Sequence, residues 1–268
     1  MKGFRVNEYL PGVFHIEDTL GVCMTLLTGS RRALLVDTGY GLEDVGAFVR
    51  TLTDLPLVVI LTHGHHDHAL GAKWFDEVSL HPEDLPVFNL YTGEAERRAV
   101  LASAAAKGIP VQEKEYVDAE MPAPLPLVPG EIDLGGMKPV VMHCPGHTPG
   151  SCAVYVPERG LMLTGDDWNP CTWVFFRECL PVGAYRRTLR KILEVPFENV
   201  LCPHRFELLD RGMIESFADG LTDAALRDAL PVDTGAARGI RTHEARLPHG
   251  QMLVFDADKY EKERDGLL

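Results

Sequence analysis

The 268-residue sequence has no CxxC pair among its six cysteines, no apolar run of membrane-spanning length, and only 26 Lys and Arg against 39 Asp and Glu. Each deficit excludes something. Cys23, Cys144, Cys152, Cys171, Cys179 and Cys202 are too scattered for a zinc knot or a disulfide framework, and read instead as reduced, mostly buried small hydrophobes. A net charge of -13 and a pI near 5.3 argue against a nucleic-acid partner, because phosphate binding needs clustered Lys and Arg. Met1 to Val6 carries positive charge with no apolar segment behind it, so neither a signal peptide nor a membrane span is expected. These readings describe a cytoplasmic protein acting on a small molecule, as a monomer or homodimer. Nothing resembling a linker divides it. The proline-dense stretch 121–130 falls between chemically active motifs, so residues 1–268 are read as one domain.

What the sequence does have is ligand density. Thr62-His63-Gly64-His65-His66-Asp67-His68 follows the apolar run Leu57 to Leu61, so four imidazoles and a carboxylate sit in a loop leaving a short buried strand. In a tight turn His63 and His65 can face one ion while Asp67 and His68 face a second; His66 is out of phase and is expected at solvent or in an outer hydrogen bond. The same arrangement of apolar strand, sharp turn and one metal-capable side chain recurs. His147 follows Pro139 to Met142, Asp166 follows Leu161 to Leu163, and His204 follows Val200 and Leu201. His15, His81, His143, His243 and His249 have no such company.

This set resembles the metallo-β-lactamase superfamily, whose pattern is HxHxDH followed by a turn histidine, an Asp and a final histidine. The resemblance implies that His63, His65 and His147 hold one metal, that Asp67, His68 and His204 hold another, and that Asp166 bridges them. Asp37, in Leu34-Leu35-Val36-Asp37, matches the early aspartate that orients a metal-site group. It further implies an αββα four-layer sandwich. The ligand set is that of the glyoxalase II type, although no C-terminal basic site for glutathione is recognisable. Asn169 stands where the lactonases place Tyr, and Asp166 where the true β-lactamases place Cys.

The ligand chemistry suits two divalent ions, zinc first, with iron or manganese as other fits. Two cations about 3.5 to 4 Å apart share a water and lower its pKa, so the expected nucleophile is a metal-bridging hydroxide oriented by Asp67 and Asp166. The expected activity is hydrolysis of a small ester, thioester, lactone or phosphoester. The alternative is a mononuclear iron oxidoreductase resembling the persulfide dioxygenases. Trp168, Asn169, Trp173 and Arg205 are the substrate candidates: Trp168, Trp173, Phe175 and Phe176 crowd the segment after Asp166, and Arg205, next to His204, could meet a carboxylate. Leu20, Val22 and Met24 are read as a flap. The remaining pattern predicts a helical insert near 83–107, a helix near 207–229, and a C-terminal hairpin near 240–255.

Overall fold

The computed structural model describes residues 3–268. Its first sheet has seven strands. Arg5–Leu10, Val13–Glu17, Cys23–Thr28 and Ala33–Val36 run antiparallel in succession, and Leu57–Ile60, Ser79–Leu80 and Leu125–Pro126 then add parallel. A second sheet of six strands has the order Leu209–Asp210, Asn199–Leu201, Leu161–Leu163, Cys152–Val156, Val140–His143, Gly130–Glu131.

Alternation explains how these strands pack. Successive side chains leave a strand on opposite faces, so a strand covered on both sides must be apolar throughout. In Ala33–Val36, Leu34 and Val36 enter the cluster between the sheets, where they meet Val154, Leu161, Leu163 and Leu201 of the second sheet. Ala33 and Leu35 point the other way, with Leu26 and Val59, against Val45 and Val49 of the helix Val45–Arg50. The second sheet repeats the division: Ala153, Met162 and Val200 face outward onto Tyr185 and Leu189 of Val182–Leu193 and Phe217 of Arg211–Gly220. Helix, sheet, sheet and helix therefore stack as the αββα sandwich.

Two elements depart from the sequence expectation. The aromatic segment after Asp166 contains a strand, Cys171–Val174, which pairs parallel with Met252–Asp256. With Thr242–Arg246 and Leu230–Pro231 it makes a third, four-stranded sheet lying on the outer helical layer. The partner strand is some 80 residues away in sequence, so no local pattern announces the pairing. The helix expected over 207–229 is broken into a short strand, Leu209–Asp210, and helices Arg211–Gly220 and Asp223–Arg227. Gly220 ends the first helix against the Pro248 ring, and the Thr222 hydroxyl accepts the Ala225 N–H to start the next. In the insert, Leu85–Tyr91 and Glu94–Ala106 are separate helices, divided at Thr92 and Gly93.

Strand direction positions the chemistry. Ala33–Val36 and Leu57–Ile60 are parallel, as are Leu161–Leu163 and Asn199–Leu201, and Val140–His143 reaches the same direction through two antiparallel pairings. Their carboxyl ends deliver Asp37, residues 62–68, His147, Asp166 and His204 to one edge of the sandwich. Two hydrogen bonds tie the sheets there: Cys152 N–H donates to Thr62 O at 2.8 Å and Cys23 N–H to Pro203 O at 2.7 Å.

Gly220→Ala tests the helix–hairpin contact. Its new Cβ would overlap Pro248, and overpacking costs about 1 to 3 kcal/mol against a helix-propensity gain of at most about 1 kcal/mol. Urea unfolding is expected to show net destabilisation; a more stable variant would show that the hairpin turn yields freely.

Candidate metal centre

Three buried imidazoles converge at the end of Leu57–Ile60. His63 Nε2 lies 3.1 Å from His65 Nδ1, and His147 Nε2 lies 2.9 Å from that same atom. The second nitrogen of each ring is tied outward. His65 Nε2 is 2.7 Å from Glu178 Oε1, His147 Nδ1 donates to Trp173 O at 2.7 Å, and His63 Nδ1 meets the Thr62 hydroxyl at 3.1 Å. A carbonyl or carboxylate only accepts, so the outward nitrogens of His65 and His147 carry the protons and their inward nitrogens present lone pairs. Burial, reinforced by neighbouring imidazoles, holds His63 well below the usual histidine range and His147 at about 4. Neutral imidazole is the ligating form.

Asp67, His68, Asp166 and His204 form a second group, whose ligand atoms all lie within 4.8 Å of one another. Asp166 stands between the groups: one oxygen is 3.6 Å from His147 Nε2, the other 3.6 Å from His68 Nε2, and His204 Nε2 is 3.1 Å away. Burial disfavours charge on both His68 and Asp166, yet their mutual attraction prevails. His68 is held well above its ordinary value by Asp67, Asp37 and Asp166, and Asp166 well below its own by His204 and His68. This group calls for positive charge. Among the described residues His68 Nε2 and Asp166 Oδ1 are moreover buried without a hydrogen-bond partner, and such atoms are costly unless something binds them. Neutral nitrogens on one side, carboxylates on the other and orphaned atoms between them fit a pair of divalent cations.

The supporting shell is specific. Asp37 adopts φ +66, a conformation costing a non-glycine residue about 1 to 3 kcal/mol. From it the carboxylate accepts the Thr62 N–H at 2.7 Å, the Thr62 hydroxyl at 2.9 Å, and His68 Nδ1–H at 2.9 Å. Two supports were not legible in the sequence. Asp84, fully buried, accepts Gly64 N–H on one oxygen and Gly150 N–H on the other, both at 2.7 Å, so it ties the HxHxDH loop to the His147 turn. In sequence it reads only as an acid at a helix start. His15 donates from Nε2 to Arg205 O at 3.0 Å while Nδ1 meets the Thr25 hydroxyl at 2.9 Å, bracing the His204 turn from the first sheet. His81, Glu83 and His143 also gather, but the two rings stack at 4.1 Å and 12°, which keeps their in-plane lone pairs from converging.

A cavity of about 530 Å³ opens over the two groups. Asn169, Trp173 and Arg205 line it, as do the ligand candidates His65, Asp67, His147, Asp166 and His204. Trp168 does not: it is fully buried in the core beside Val174 and Tyr185, facing away from the cavity. The strand pairing sets this alternation, burying Thr172 and Val174 and turning Cys171 and Trp173 toward the opening. Val22 and Met24 are likewise core residues rather than a flap. His66, expected at solvent or in an outer hydrogen bond, lines the cavity with its Nδ1 buried. Phe176, named with the aromatic segment after Asp166, lines the cavity, and Tyr40, Tyr91 and Arg238 join it without having been singled out in the sequence. Arg238 reaches it from the loop before Thr242–Arg246 and is held bidentate by buried Glu96 of the insert, at 2.6 and 2.9 Å.

The sequence pattern of the metallo-beta-lactamase superfamily matches residues 18–178. The chain belongs to this superfamily. It is similar to the acyl-coenzyme A thioesterase MBLAC2 of Gallus gallus, 26% identical over 217 residues that cover 73% of this chain and 70% of that protein. A probable metallo-hydrolase, YqgX of Bacillus subtilis (strain 168), is 31% identical over 140 residues, covering 52% of this chain and 63% of its own. Among solved structures, TTHA1623 in a di-iron-bound form is similar at 28% identity and a TM-score of 0.53, over 72% of this chain and 91% of that one. The superfamily and its relatives indicate a hydrolase. No helix among the described residues is long and apolar enough to cross a membrane.

Asp84→Ala leaves two buried amide N–H groups unpaired, each worth about 1 to 3 kcal/mol. Chemical denaturation is expected to show a loss of that order, with weakened metal retention; wild-type stability would mean that water replaces the carboxylate. His15, held at about 4 by burial, stays neutral in the fold while the unfolded chain takes up a proton below pH 6.5. Its contribution is therefore intact above pH 6.5 and lost as the pH falls toward 4, at up to about 1.4 kcal/mol per pH unit. His15→Gln is expected to flatten the stability slope in that window; an unchanged slope would place the titration elsewhere.

Proposed function

We propose that this chain is a dinuclear metal-dependent hydrolase of acyl thioesters. The observation that carries the reading is Asp166, whose two carboxylate oxygens face the two ligand groups at 3.6 Å each on the floor of an aromatic-walled cavity. In this reading His63, His65 and His147 hold one cation, Asp67, His68 and His204 the other, and Asp166 both, with Asp37 orienting His68. Zinc is the proposed metal; the donor set also accommodates iron, the metal of the similar di-iron structure, or manganese. A bound pair supplies a water of lowered pKa and polarises the acyl carbonyl.

The chain's own residues do the rest. Asp67 and Asp166 accept hydrogen bonds from the attacking water and fix its direction. Tyr91, Trp173 and Phe176 present an apolar wall to the acyl chain and exclude bulk water from the ligand groups. Arg205, exposed at the rim beside His204, meets an anionic part of the leaving thiol. The thioester choice draws further support from the acyl-coenzyme A thioesterase relative, and the six free cysteines suit a reducing compartment such as the cytoplasm. Residues 1–268 are taken to act as one domain, because segments as far apart as Tyr40 and Arg238 wall the same cavity.

Protein purified without added metal is expected to carry about two metal ions per chain. Acyl thioesters are expected to turn over fastest in a panel with simple esters, lactones, phosphodiesters and β-lactams. His65→Ala is expected to abolish turnover while leaving the fold intact by circular dichroism. One iron per chain with sulfite formed from glutathione persulfide would replace the hydrolase reading with the oxidoreductase one. Preference for a lactone or phosphodiester would overturn the thioester assignment.

A further inference from the structure

The superfamily pattern ends at residue 178, yet the last helix of the chain reaches the turn that carries Glu178. Lys259, in Ala257–Arg264, donates from Nζ to Cys179 O at 2.6 Å, Arg177 O at 3.3 Å and Phe176 O at 3.5 Å. One ammonium thus gathers three carbonyls that bracket Glu178. Three donors on a compact cation suit this task, since each N–H finds an acceptor; the Phe176 carbonyl also accepts the Cys179 N–H at 3.1 Å, within the same turn. The Asp256 carboxylate caps the same helix by accepting Lys259 N–H at 3.0 Å, which fixes where the lysine starts.

The turn so held presents Glu178 to His65. Glu178 Oε1 lies 2.7 Å from His65 Nε2, its side chain is 15% exposed, and the Tyr91 hydroxyl faces the same carboxylate from the insert. Among the three converging imidazoles only His65 has a charged outward partner: that of His147 is a carbonyl and that of His63 a hydroxyl. A carboxylate both fixes the tautomer and raises the basicity of the inward nitrogen. His65 Nδ1 is also the atom both other rings approach, at 3.1 and 2.9 Å, so its lone-pair direction sets the geometry of the whole group.

We infer that Glu178 is a positioning residue that holds His65 in its metal-binding tautomer, and that Lys259 of the C-terminal helix holds Glu178 in place. The inference rests on reading His65 as a ligand. It assigns to the segment beyond the superfamily match a part in building the metal centre.

The experiment is a competition titration of the full-length apo-protein with zinc against a chromophoric chelator, paired with cobalt(II) absorption spectra and apo-protein melting curves. Glu178→Gln keeps the side-chain shape and an acceptor oxygen but removes the charge. It is expected to weaken one of the two equivalents about 10- to 100-fold, shift the cobalt ligand-field bands, and leave the second equivalent and the apo melting curve unchanged. Lys259→Met is expected to weaken that same equivalent to a smaller extent. Wild-type affinity and spectra for Glu178→Gln, with one equivalent lost in His65→Ala, would overturn the positioning role and leave the ligand reading standing. Undiminished binding in His65→Ala would overturn the ligand reading itself. A weakened Glu178→Gln beside an unaffected Lys259→Met would overturn the part given to the C-terminal helix.

Discussion

The structure depends on the outward hydrogen bond of each converging imidazole. Three buried lone-pair-bearing rings repel one another in the absence of a cation, and nothing in the inward geometry alone would keep them turned together. Thr62, Glu178 and the Trp173 carbonyl anchor the far nitrogens in the first group, and Asp37 does so for His68 in the second. Each anchor comes from a different element: the Leu57–Ile60 strand end, the turn after Cys171–Val174, that strand itself, and the end of Ala33–Val36. The centre is therefore a property of the packed sandwich and not of the HxHxDH loop.

Packing and chemistry share the same residues. Parallel strands bring four ends that carry ligand candidates, and a fifth that carries Asp37, to one edge, the two-sided burial of those strands keeps the edge rigid, and Asp84 and His15 transfer that rigidity to the turns. Strain is concentrated where it is offset: the left-handed backbone of Asp37 places one carboxylate to serve both Thr62 and His68. The third sheet gives the cavity its aromatic wall, and the insert joins it from the other side through Tyr91 and the Glu96–Arg238 pair. Opposing elements thus enclose a space in which electrostatic interactions are less screened than in water.

Part of this was legible in the chain. The ligand candidates could be read because each follows an apolar run and a Gly- or Pro-marked turn, a local pattern that survives folding. The sandwich could be read for the same reason, since strands covered on both faces are apolar without interruption. Trp168 could not be separated from Trp173, because which aromatic faces the cavity follows from a strand pairing with Met252–Asp256, far along the chain. Glu178, Asp84 and His15 look ordinary in sequence; their roles arise from contacts that span 113, 66 and 190 positions.

By itself the sequence determined the donor atoms: which imidazoles and carboxylates exist, that they lie at strand ends, and that their chemistry suits two cations. Tertiary structure alone decided which nitrogen of each ring faces inward, which aromatic meets the cavity, and that the C-terminal helix packs on the turn carrying Glu178. The division has a physical cause. Donor identity is a property of single residues and short spacings, whereas donor direction is fixed by hydrogen-bond partners that only folding brings near.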